Sequence, residues 1–133
     1  MFVNFSMYKF LPIFLFAFGF TETMEVYYKT DTPIAGFQFN VEGVKVIDAF
    51  SGDAETEGFT IAIGNNTILG FSLIGGTIPA GDGSLLFLNY AEDNTNALKL
   101  LQHLTPAICL HGLVVSDPNG MAIDYQAGEC WFH

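Results

Sequence analysis

From Thr21 onward the chain is divided into short runs of alternating apolar and polar residues, broken by Gly, Pro, Asn and Asp roughly every eight to twelve residues. A period of two sends successive side chains to opposite faces of an extended strand, so each run can bury one face and wet the other. Met24, Val26 and Tyr28 alternate with Glu25, Tyr27 and Lys29, and Phe37, Phe39 and Val41 alternate with Gln38 and Asn40. Val44–Phe50, Phe59–Ile63, Thr67–Ile74, Ser84–Tyr90, Ala107–Ser116 and Met121–Tyr125 read as further strands. Gly64-Asn65-Asn66 suits a tight hairpin turn with positive φ, and Asp117-Pro118-Asn119-Gly120 suits another turn. Ser51–Gly58 reads as an acidic loop and Pro79–Gly83 as a second loop. Thr95–Leu104 fits a short helix or an irregular crossover, with Leu98, Leu101 and Leu104 on one stripe. The expected fold is all-β: a jelly-roll or Ig-like antiparallel β-sandwich of about eight or nine strands, preceded by an extended hydrophobic segment.

That segment, residues 10–20, reads FLPIFLFAFGF, with Phe14, Phe16, Phe18 and Phe20 on every second position. Two readings stay open. As a signal peptide it has a lone positive charge, Lys9, ahead of an apolar run of suitable length, but Pro12 interrupts it and no small-residue cleavage site follows. As a donor strand it would fill a groove on a neighbouring subunit, with Ile13, Phe14, Leu15, Phe16, Phe18 and Phe20 as the assembly residues. The run is too short for a membrane span, which needs about 20 residues, so an integral membrane protein is not expected. The expected organisation is a hydrophobic N-terminal segment over 1–21 and a sandwich domain over 22–133.

Charge is sparse and one-sided. Fourteen acids face four lysines, with no arginine, for a formal net charge of −10. Nucleic-acid binders need clustered Lys and Arg against phosphate, so nucleic acid is excluded as a partner. Two cysteines, Cys109 and Cys130, are expected to form one disulfide if the chain is exported.

Ala35-Gly36-Phe37-Gln38-Phe39 in an early strand, followed by Ile78-Pro79-Ala80-Gly81 with Gly83 and Leu85, resembles the cohesin-type domains. The resemblance spans about Met24–Tyr90. It implies a nine-stranded jelly-roll sandwich, related in fold to some carbohydrate-binding modules. Cohesins proper bind dockerin modules in cellulolytic assemblies. The Phe-rich head and the segment from Cys109 to Cys130 depart from the family pattern, so the fold is carried over and dockerin recognition is not.

No nucleophile elbow, zinc-protease helix, P-loop or paired-cysteine motif is present, and no catalytic residue is assigned. The three histidines, His103, His111 and His133, read better as solvated than as a metal trio. The sharper metal expectation is calcium, from Asp53, Glu55 and Glu57 in one loop or Asp117, Asn119 and Asp124 in another, though neither matches an EF-hand. Sequons at Asn4 and Asn65 are candidate glycosylation sites, Asn65 in a predicted turn.

These features point to a non-enzymatic, extracellular or cell-surface protein. The leading expectation is a self-assembling subunit that polymerises head to tail into a fibre. Burying four Phe rings at roughly 1.5–3 kcal/mol each would outweigh the ordering of one strand. The alternative is a monomeric secreted recognition module, cohesin-like, binding a protein partner or a glycan after signal cleavage.

Overall fold

The computed structural model describes residues 3–10, 21–92, 107–127 and 131–132. Among these residues ten strands form two five-stranded sheets. The first has the order β4 (Val44–Phe50), β7 (Gly81–Glu92), β2 (Thr21–Thr30), β1 (Val3–Phe10), β9 (Tyr125–Ala127). The second has the order β10 (Trp131–Phe132), β8 (Ala107–Ser116), β3 (Gly36–Glu42), β6 (Thr67–Phe71), β5 (Thr60–Gly64). Every ladder is antiparallel except β1–β9, which is parallel.

The core lies between the sheets. Met24, Val26 and Tyr28 on β2, Val44, Val46 and Ala49 on β4, and Leu86, Leu88 and Tyr90 on β7 face Phe37, Phe39 and Val41 on β3. Ile68 on β6 and Ile108, Leu110, Leu113 and Val115 on β8 complete that inner face. Phe37 stacks between Phe39 and Phe59 at centroid distances of 6.1 and 6.0 Å. Gly70 lies opposite Phe37 in the β3–β6 ladder, and a Cβ there would sit 2.2 Å from the ring. The aromatic core therefore requires a glycine at that point on β6.

Strict alternation fails at three bulges. On β8 the buried residues step from Leu110 to Leu113, because Gly112 and Leu113 together oppose Phe39. Gly112 has φ 63° and its missing Cβ leaves room for Asn40 Nδ2, as a glycine bulge requires. On β4 the extra residue is Ile47, which is exposed, and the inner face moves from Val46 to Ala49. On β7 it is Leu85, so that Leu85 and Leu86 are both buried.

Several expected boundaries move. Gly52–Thr56, read as loop, is a short helix, α1, packed against β7. Pro79–Gly83 was expected to be loop, but Gly81 to Gly83 belong to β7 and pair with Thr30 to Tyr28. Thr67–Ile74 ends as a strand at Phe71. Met121–Tyr125 reduces to a single bridge, Ser116 with Ala122, before β9 joins β1. The expected helix or crossover over Thr95–Leu104 lies outside the described residues. The division expected between 1–21 and 22–133 falls within one sheet, since β1 sits between β2 and β9 of the same chain.

Candidate binding face

The outer face of the second sheet is built by alternation on four adjacent strands. β3 buries Phe37, Phe39 and Val41, which turns Gln38, Asn40 and Glu42 outward. The ladder registers then align outward residues in rows. Ala62 on β5 faces Leu69 on β6, Leu69 faces Gln38, and Gln38 faces Val114 on β8. All four are exposed, Leu69 by 38% and Val114 by 55%. On one side runs the row Thr67, Asn40, His111, in which the Thr67 hydroxyl donates to Asn40 Oδ1. On the other side runs Thr60, Phe71, Gly36, Ser116. The face therefore sets Ala62, Leu69 and Val114 around Gln38 at its centre, with polar groups on the Asn40 side and Phe71 between Thr60 and Gly36 on the other.

Both loops at the Gly36 end extend the apolar surface. Ser72 Oγ accepts from the backbone N–H of Ile74 at 3.3 Å and of Gly76 at 2.8 Å, a compact turn that leaves Leu73 80% and Ile74 86% exposed. After β8, Asp117 Oδ1 accepts from Asn119 N and Met121 N, each at 2.9 Å, and Met121 is 65% exposed. β6 ends at Phe71 and β8 at Ser116, both opposite Gly36, so the two loops leave the same end of the face. This surface offers apolar contact and hydrogen bonding.

The two expected calcium loops lie at α1 and at the turn after β8. Among the described residues no three His, Cys, Asp or Glu side chains gather for a metal. Asp53 Oδ2 accepts the Tyr28 hydroxyl at 2.5 Å, Glu55 Oε2 accepts Ser51 N at 2.6 Å, and Asp117 closes its own turn. Burial, followed by the hydrogen bond and charge of Asp53, pushes the Tyr28 phenol well above its usual range.

Asn65 is exposed at the tip of the β5–β6 hairpin, while Asn4 lies on β1 opposite Lys29 and Gln126. Cys109 lies on β8; Cys130 lies outside the described residues. So do the assembly residues Ile13, Phe14, Leu15, Phe16, Phe18 and Phe20, together with His103 and His133. Sequence reasoning did not single out Leu69, Val114, Leu73, Ile74 or Met121. The signal was there in the alternation of β3, and in an apolar pair placed directly before Gly75-Gly76.

The sandwich is similar to solved cohesin modules. A non-cellulosomal cohesin from the archaeon Archaeoglobus fulgidus aligns at TM-score 0.55 and 17% identity, covering 82% of this chain and 76% of that one. The cohesin of a type I cohesin–dockerin complex from Clostridium thermocellum aligns at 0.57 and 13%, covering 83% and 81%. The second type II cohesin module of the ScaA scaffoldin of Acetivibrio cellulolyticus aligns at 0.55 and 13%, covering 97% and 95%. The chain has the cohesin-like β-sandwich fold. No protein-family model matches the sequence, and no curated protein matches it.

Proposed function

We propose that this chain is a non-enzymatic, extracellular protein-recognition module whose partner docks on the outer face of β8-β3-β6-β5. The observation that carries the reading is the exposed row Ala62, Leu69, Gln38, Val114, flanked on one side by the polar row Thr67, Asn40, His111 and continued at the other end by the Leu73-Ile74 loop. Apolar side chains on a flat sheet face rimmed by polar groups are the anatomy of a protein interface. Similar sandwiches solved with dockerins support a folded protein as partner. No helix among the described residues is long and apolar enough to cross a membrane.

The fibre expected from the sequence gains no such support. β1, the described part of the head, is paired on both sides within its own chain. The sugar-binding reading has Phe50, stacked on Phe87 at 5.9 Å on the outer face of the other sheet, and among the described residues no row of exposed aromatics lies beside it. Calcium is not part of the proposal. A Cys109–Cys130 disulfide is: the chain has two cysteines, and an exported chain keeps such a pair oxidised.

Biolayer interferometry against immobilised type I and type II dockerins, beside an oligosaccharide array, tests the function. Binding to a dockerin that L69E/V114E weakens at least tenfold, about 1.4 kcal/mol, is the expected result. Signal confined to sugars, or a dockerin signal indifferent to the double substitution, would overturn it.

A further inference from the structure

Two sequons occur, and the fold treats them differently. The Asn4 sequon lies within β1, a strand hydrogen-bonded on both sides, to β2 and to β9. The Asn65-Asn66-Thr67 sequon forms the tip of the β5–β6 hairpin. Gly64 pairs with Thr67, and Asn65 and Asn66 form a two-residue loop with φ of 50° and 60°. Adjacent asparagines in one turn have divided the work. Asn66 turns inward: its Oδ1 accepts Val46 N, and its Nδ2 donates to the carbonyls of Val41 and Val44. Asn65 is exposed, and its side chain makes no hydrogen bond within the described residues. The turn's geometry is met by the backbone and by Asn66. The Asn65 amide holds nothing together.

We propose that Asn65 is a site of N-linked glycosylation, and that Asn4 is not. The donor is a lipid-pyrophosphate-linked oligosaccharide of the secretory pathway. A bond forms between Asn65 Nδ2 and the anomeric carbon of the first sugar. The bond from that carbon to the pyrophosphate oxygen breaks, the lipid pyrophosphate leaves, and the amide nitrogen gives up one proton. N-linked sequons are carried on surface loops, which a hairpin tip supplies and a strand paired on both sides does not. A depression of about 540 Å³ beside the turn, lined by Lys45, Val46, Ile63, Gly64, Asn65 and Asn66, gives the first sugar a shallow seat with a cationic wall. The seat lies along β5, the edge strand of its sheet. Thr60–Gly64 carries no charge and no proline, two common guards against edge-to-edge association, so a glycan at Asn65 shields an edge the sequence leaves bare.

The full chain, secreted from a glycosylating eukaryotic host behind a heterologous leader, tests this. Peptide-N-glycosidase F should lower the mass of the protein and convert Asn65 to aspartate in peptide mapping. N65G keeps the positive φ of the turn and should abolish the shift without lowering Tm. T67S keeps the sequon and should retain the shift, and N4Q should leave it unchanged. An unmodified Asn65 peptide in the secreted protein, or a glycan carried on Asn4, would overturn the assignment.

Discussion

Asn66 couples a hairpin turn to β3 of its own sheet and β4 of the other. Its three side-chain hydrogen bonds reach Val41, Val44 and Val46, and its own carbonyl accepts from Val41 N at 2.9 Å. These groups surround the break between β3 and β4, where Gly43 has φ 99°. Removing the amide strands one N–H and two carbonyls. N66G, which keeps the backbone conformation, is expected to cost about 1–3 kcal/mol. N66A should cost roughly 1 kcal/mol more, because an L-residue with a Cβ resists positive φ. Urea melts of both variants check this; equal stability to the parent would show the network to be idle. Tyr28 is a second residue with a readable consequence. Its phenol is raised in the folded state by burial, then by Asp53, relative to about 10 in the unfolded chain. A raised phenol keeps its proton when folded. The stabilisation is thus fully present below about pH 10 and is lost as pH climbs past it. Y28F should flatten the fall in stability that begins near about pH 10 and continues above it, and an alkaline limb unchanged from the parent would refute that cause.

At the scale of elements, the strands were legible wherever a face is buried without interruption. β4, β5 and β8 fall within a residue of their expected ranges, and the Asn65-Asn66 turn has the positive φ its residues favour. The bulges were not legible. Gly112 within VVS-rich β8 could have been a weak point or a kink; only the approach of Asn40 makes it a bulge. G112A is expected to destabilise by about 1–3 kcal/mol, through positive φ and a 2.6 Å contact with Asn40 Nδ2, measurable as a lower Tm. α1 was hidden because five residues are too few for a periodic stripe. Its single buried residue, Ala54, gives no pattern. The proposed Cys109–Cys130 link would tie short β10 to β8. C109S/C130S should lower stability by about 3 kcal/mol. Thiol titration of the unfolded parent, without reductant, should find no free sulfhydryl. Two titratable thiols would remove the link.

For the whole molecule, the outward residues of the proposed binding face are separable from the core. Leu69 and Val114 project from the sheet, so L69E/V114E should leave the melting transition within about 0.5 kcal/mol of the parent while partner binding falls. A collapse of the fold in that variant would place these side chains in the core instead. The sequence by itself determined the all-β class, the cohesin-like sandwich and most strand positions. Period-two burial and turn chemistry are local properties, and each run carries its own instruction. The tertiary structure alone decided which strands are neighbours, and therefore that Ala62, Leu69, Gln38 and Val114 lie in one row. It also placed Val3–Phe10 between β2 and β9, and set Asp53 against the Tyr28 phenol and Asp117 against the backbone of its own turn. Those outcomes depend on pairing between residues far apart in the chain, and alternation records which face a residue takes but not which strand will lie beside it.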